Sequence, residues 1–241
     1  MVNIDTVYQR VLALANKEQR GYITPQEFNL FAGHAQTAIF EQYFYDLNQF
    51  SRSKGSSDEL ADMADILQEK IATFKKSTTL TSGTLTGQYN LPTDLYRLGT
   101  VTHRYLNYAY EAEKISYNEY LNINNTYLAR PTEKRPVYTS IGGPAGSPIE
   151  GVIHIYPATG NNVSATYVRK PLDPNWTYVV VGDKALYNST ALDHQDFELH
   201  PSEEASLVLK ILLLAGIQLK TPQLSQQAGQ EDMKNIQQEK A

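Results

Sequence analysis

From Asn3 to Gln19 the apolar residues Ile4, Val7, Tyr8, Val11, Leu12, Leu14 and Ala15 recur at helical spacing. The pattern predicts a helix that ends before Gly21, where a left-handed C-cap fits. The next signal is "TPQE", residues 24–27, which reads as Thr24 at the N-cap, Pro25 at the first helical position and Glu27 closing a capping box. The helix it opens is expected to run to about Phe50, with Phe28, Ala32, Ala35, Ile39, Tyr43, Leu47 and Phe50 as its apolar positions. At 100° per residue, Ile39, Phe40, Tyr43, Phe44, Leu47 and Phe50 cover an arc of about 140°, wider than the usual stripe, and Tyr45 falls outside even that. The C-terminal half of this helix is therefore expected to touch more than one neighbour.

A polar break, "SRSKGSS", precedes a third helix, capped by Ser57 and running through Phe74, with Leu60, Met63, Ile66 or Leu67, Ile71 and Phe74 facing inward. The periodicity then changes. "STTLTSGTLTGQYNLP" and "DLYRLGTVTHRYL" read as strands and turns, a short helix is placed at Ser116 with Glu119 as its cap partner, and "RPVYTSIGGPAGSP" leads a strand into a Gly/Pro loop. "GVIHIYP" and "NNVSATYVRKP" look like paired strands around "ATGNN", and "NWTYVVVG" is a further strand. From Pro201 the pattern is helical again, with Ser202, Glu203 and Glu204 suited to the positive end of a helix that runs out before Pro222. Residues 222–241 are Gln-rich, with Leu224, Met233 and Ile236 as anchors for a tail that would order on a partner.

The expected fold is α+β: a helical bundle built from N- and C-terminal helices, with a β-rich, sandwich- or barrel-like insert between them. The boundaries read as 1–76 for the N-terminal helices, 77–200 for the insert and 201–241 for the closing helix and tail.

Composition narrows the function classes. At 241 residues without cysteine, the chain can bury a core without staples, and thiolate chemistry is excluded. The longest apolar run, "ILLLAGI", is far short of the roughly 20 residues a membrane span needs, and no charged-then-apolar signal opens the chain. A net charge of −5 gives no basic footprint for gripping nucleic acid. Seventeen Tyr against seven Phe suits both strands and surfaces that are wet at one time and buried at another.

Candidate chemistry is sparse. In "DHQDFELH" a strand would line His194, Asp196, Glu198 and His200 on one face, a weak set of metal ligands, with Phe197 and Leu199 on the other. Plain amphipathic alternation explains the same residues, so no metal and no cofactor are expected. Glu111, Glu113 and Glu119 offer carboxylates for a glycan hydrolase, but they sit among charges in an exposed segment. Arg130, Lys134, Arg135, Arg169 and Lys170 are interleaved with Tyr127, Tyr138 and Tyr167, which suits a single strand or intersubunit salt bridges. No nucleophile elbow or phosphate loop occurs. The chain reads as a non-enzyme.

Two stretches carry a family resemblance. The opening "VYQRVLALANKEQRGYITPQEFNLFAGHAQTAIFEQYFYDLNQF" resembles the start of head–tail connector proteins of short-tailed phages, closest to the crAss-like group. "IHIYPATGNNVSATYVRKPLDPNWTYVVVG", followed by "DFELHPSEEASLVLKILLLAGIQLK", is similar to their strand-then-helix close. The two stretches together cover about 100 residues. The resemblance implies a virion structural protein at the head–tail junction, made in the bacterial host cytoplasm. Its subunits would form a ring, often twelve-fold, that docks on the portal protein, meets further tail or ring proteins and passes DNA without reading its sequence. No membrane is implied. On that reading Phe40, Tyr43, Phe44, Tyr45, Leu47 and Phe50 are candidates for the subunit interface, and Leu224, Met233 and Ile236 for a partner-binding tail. The rivals are a tail-associated glycan hydrolase and a soluble protein-binding module.

Overall fold

A computed structural model describes residues 1–17, 23–52, 58–142, 151–158, 160, 162–182 and 184–216. Among them the fold is mixed α+β, with five α-helices, a nearly closed eight-stranded barrel-like sheet and a separate two-stranded hairpin. The chain divides into two compact units, one of residues 1–73 with 171–241 and the other of residues 74–170.

The first unit contains α1 (Ile4–Lys17), α2 (Pro25–Arg52), α3 (Asp58–Ala72) and α5 (Glu204–Leu214). α1 buries Ile4, Val7, Tyr8, Val11 and Ala15, the positions its periodicity singles out. The capping box of α2 forms as read. Thr24 N donates to Glu27 Oε2 at 3.0 Å, and Glu27 N donates to Thr24 Oγ1 at 3.3 Å. The bonds from the Thr24 backbone and hydroxyl hold the Glu27 carboxyl below its ordinary value of 4.5. On α3, Leu67 and Ile71 are buried while Ile66 is exposed, which settles the inward-facing residue as Leu67. The cap at Ser57 lies outside the described residues. α5 follows a 3-10 turn, Pro201–Glu203, and buries Leu207, Val208, Ile211 and Leu212. It packs against α1 and α2, with Arg10 paired to Glu204 at 2.9 Å. Lys70 of α3 pairs with Glu203 at 2.7 Å.

Residues 171–200, grouped with the β part by sequence, belong to this helical unit. Their backbone bonds include contacts to α2 side chains, Asn29 Oδ1 accepting from Trp176 N and Gln36 Nε2 donating to Leu172 O. The segment 193–200 is accordingly no strand: Phe197, Glu198 and Leu199 are buried in succession, and alternation fails. Its only ladder contacts among the described residues are isolated bridges, Val2 with Phe197 and Asn175 with Gln195.

The second unit is the barrel. Its strands are β1 (Lys75–Thr79), β2 (Thr81–Ser82), β3 (Gln88–Asn90), β4 (Leu95–Tyr105), β5 (Tyr108–Lys114), β6 (Val137–Gly142), β7 (Gly151–Tyr156) and β8 (Val163–Arg169). They run in the order β1-β8-β4-β5-β6-β7-β3-β2, antiparallel except for a two-residue parallel contact between β5 and β6. The two outer strands, β1 and β2, are separated only by Leu80, whose N–H donates to Val163 O at 2.8 Å. One bent strand thus pairs with β8 on one side and β3 on the other, and so draws the sheet nearly closed. Leu80, Tyr89, Val101, Ala112, Tyr138, Ile153, Ile155, Val163 and Ala165 fill the interior.

β7 and β8, expected to form a hairpin, do not pair. β7 is bonded to β6 and β3, and β8 to β1 and β4. Pro157, with no N–H, follows the last residue of β7, and β8 takes its place in the sheet between β1 and β4. α4 (Tyr117–Asn124) begins as read, with Ser116 Oγ accepting from Glu119 N.

Candidate interaction surface

Within the helical unit the hairpin of β9 (Tyr178–Val181) and β10 (Lys184–Tyr187) stands on an aromatic base. Trp176, the only tryptophan of the chain, is buried between rings. It lies 4.2 Å from Tyr8 and stacks on Tyr178 and Tyr187 at 5.7 and 5.8 Å, centroid to centroid. Its Nε1 donates to Asp5 Oδ1 at 2.9 Å. Asn29 of α2 grips the same point: its Oδ1 accepts from Trp176 N at 2.9 Å, and its Nδ2 donates to Asn175 Oδ1 at 2.8 Å. Burial, and after it the Asp196 and Asp5 carboxylates, push the Tyr187 hydroxyl up from its ordinary value. Both N–H groups of Trp176 are thus bonded within the base.

Above that base the hairpin is bare. Val179, Val180 and Val181 are 50%, 64% and 57% exposed, Leu186 is exposed, and Leu192 beyond it is fully open. A two-stranded hairpin is marginal in water on its own, and three successive exposed valines are poorly matched to solvent.

The aromatic arc of α2 is divided. Phe40 and Tyr43 are buried, with Phe40 edge-on to Phe44 at 5.1 Å and Lys70 Nζ 5.5 Å above the Tyr43 ring. Phe44 and Leu47 are half-buried, and the Phe50 side chain lies outside the described residues. Tyr45 is 59% exposed, its hydroxyl accepting from Gln49 Nε2 at 2.7 Å. Most of the arc is thus committed to the chain's own core, which leaves Tyr45 on the surface. From Asn29, at the hairpin base, to Tyr45 is about 24 Å along α2 at 1.5 Å per residue. Leu224, Met233 and Ile236 lie outside the described residues.

The four weak metal candidates are each engaged elsewhere. Asp196 Oδ1 accepts from Ile4 N at 2.8 Å and sits 3.7 Å from His194 Nε2. Glu198 Oε2 accepts from Leu172 N at 2.8 Å, and His200 Nδ1 meets Ser202 Oγ at 2.8 Å as a helix cap. Among the described residues no three His, Asp or Glu side chains gather at metal-binding range.

In the barrel unit, Glu111 and Glu113 lie on one face of β5, about 7 Å apart along the strand. With Tyr138, Gly99 and Thr100 they border a cavity of about 470 Å³, and Glu119 is on α4. Burial and then Glu111 raise the Tyr138 hydroxyl. Of the interleaved basic residues, Arg169 lies over the Phe74 ring at 5.6 Å, and Tyr138 points into the core. The exposed hairpin was missed as a surface by sequence reasoning; "YVVVGDKALY" carried the signal, a hairpin with valines on both faces.

No known protein family matches the chain, and no curated protein does. No helix among the described residues is long and apolar enough to cross a membrane.

Proposed function

We propose that the chain is a non-enzymatic structural subunit of a head–tail connector ring in a short-tailed phage, docked on the portal and extending the DNA channel toward the tail. In this reading the terminal helices form the bundle of the ring body, the barrel is inserted into it, and each subunit meets its two neighbours through different faces. The observation that carries the proposal is the β9–β10 hairpin, whose exposed valines rise from a stacked aromatic base near the start of α2. A head-to-tail ring requires two unlike faces on one subunit, and in this reading the exposed Tyr45, toward the other end of α2, belongs to the second. The resemblance of both ends of the chain to connector proteins supports the same assignment. So does a net charge of −5, because a basic channel would hold the DNA that must slide through it.

The test is quantitative mass spectrometry of purified virions, with this chain counted against the major capsid protein. About twelve copies per particle are expected for a ring at one vertex. Absence of the chain from washed particles would overturn the proposal and favour a soluble binding module.

A further inference from the structure

The two units of the chain carry opposite charge. Residues 74–170 hold ten Lys and Arg against six Asp and Glu, whereas the remainder holds eleven against twenty. Part of the barrel's positive surplus is gathered at one end. β8 starts opposite His103 and finishes opposite Leu95, so the chain enters and leaves the barrel at the Leu95 end. At the other end stand the β4–β5 turn and the loop 125–136, which joins α4 to β6. His103 Nε2 lies 2.6 Å from Glu133 Oε2, which sets that loop beside the end of β4. The two segments expose Arg104, Arg130, Lys134 and Arg135. Their one carboxylate, Glu133, is the partner of His103, and among the described residues no salt bridge engages any of the four. Among these charges Leu106 and Tyr108 are exposed, and Tyr127 and Leu128 are 88% and 92% exposed. Arginine and tyrosine are the residues most enriched in binding hot spots. The counter-charge is on the chain itself. Asp58, Asp62, Asp65 and Glu69 occupy positions i, i+4, i+7 and i+11 of α3, one helical face. Asp65 and Glu69 are exposed, and beside them Ile66 is 48% exposed.

We propose that the basic, apolar loop end of the barrel docks on the acidic face of α3 in a second copy of the chain. Four cations meet four carboxylates, and Tyr127 and Leu128 find an apolar counterpart in Ile66. The contact joins unlike surfaces, so each copy can hold one neighbour by its barrel and another by its α3. It rests on the chain being a self-assembling subunit, as proposed above, but not on where the assembly sits. A single-stranded nucleic acid would meet the same cations, yet it would also meet a chain of net charge −5. A second copy brings the counter-charge and the apolar contact together, and complementary potentials also fix which faces meet.

Analytical ultracentrifugation of the full chain, without portal or DNA, tests the contact. The unmutated chain is expected to self-associate, and to do so less as salt rises. Arg130→Glu with Arg135→Glu should weaken that association by about tenfold or more, and so should Asp65→Lys with Glu69→Lys, because each sets like charges face to face. All four positions are exposed, so circular dichroism should find both variants folded. Mixed in equal amounts, the two variants should associate again, since the reversed loop end of one now faces the reversed α3 of the other. Tyr127→Ser with Leu128→Ser alters no charge and should also weaken association, which separates docking from bulk attraction. An unmutated chain that stays monomeric, a mixture that stays monomeric, or reversed variants that associate like their parent would each overturn the contact. So would a monomer that binds a single-stranded oligonucleotide through these loops. Copies per virion are counted on particles, so the ring assignment and this contact can fail separately.

Discussion

Gln36 and Glu198 clasp each other across 162 residues of sequence. Glu198 N donates to Gln36 Oε1 at 3.0 Å, Gln36 Nε2 donates to Leu172 O at 2.7 Å, and Leu172 N donates to Glu198 Oε2 at 2.8 Å. Both side chains are buried, and the ring of bonds ties α2 to the two ends of the returning segment. Gln36→Ala would remove the partner of the buried Glu198 N–H and of the Leu172 carbonyl. The expected loss is about 2–3 kcal/mol of stability in urea unfolding. Gln36→Glu should recover little of it, because it loses the amide donor and sets a second carboxylate beside Glu198.

Trp176→Phe keeps much of the ring stack but removes the bond to Asp5. We expect a cost of about 1–2 kcal/mol, the loss of a charge-assisted bond plus some packing. Asp5→Asn, which can still accept from the indole, should cost less. Thermal melts followed by circular dichroism compare the two.

Replacing Val179 and Val181 together by Thr tests the hairpin as an interface. Both are exposed, so the monomer should change by less than about 0.5 kcal/mol. Assembly, measured as mass by light scattering in the presence of the portal, should fail. A folded variant that still forms rings would remove the hairpin from the interface, and a Tyr45→Ser variant asks the same of the second surface.

The barrel should lose stability at both pH extremes through one contact. Tyr167 donates to Asp94 Oδ1 at 2.9 Å, and Lys76 pairs with Asp94 at 3.0 Å. Burial and then the Asp94 bond push the Tyr167 hydroxyl from 10.0 up to about 12. Burial opposes ionisation of Asp94, but the bonds from Lys76 and Tyr167 outweigh it and hold the carboxyl below its ordinary 3.8. A raised phenol contributes stability below its unfolded value and loses it as pH rises from 10.0 toward about 12. A depressed carboxyl contributes above 3.8 and loses it as pH falls. Absorbance titration near 295 nm should show several late tyrosines, because Tyr138 and Tyr187 are raised too, and Tyr167→Phe should remove one of them.

Gly99→Ala should disturb the bulge in β4. An added Cβ would meet Thr166 O at 2.9 Å, a backbone contact that cannot swing aside. The cost expected is about 1–3 kcal/mol, as for overpacking, and differential scanning calorimetry would record it.

The features legible in the sequence were the local ones. Thr24, Pro25 and Glu27 spell a helix start within four residues, and Ser116 with Glu119 does the same, because their hydrogen bonds close over three positions. The partners of β7 and β8 were illegible, since a turn-like "ATGNN" between two apolar runs fits a hairpin and a crossover equally well. The segment 193–200 misled for a related reason. Its alternation suggests a strand, but the groups that fix it are Gln36, Ile4 and Leu172, remote in sequence. The aromatic arc of α2 signalled heavy burial for Phe40 and Tyr43, and Tyr45, which periodicity sets outside the arc, is the ring that remains on the surface.

The barrel starts and finishes at neighbouring points. Arg169 N donates to Phe74 O at 2.9 Å, and Lys75 lies opposite Val168 in the β1–β8 ladder. To the chain on either side, nearly a hundred residues therefore span no more than a tight turn would. A change in the length of a barrel strand or loop need not alter the separation of the two points where the chain enters and leaves it.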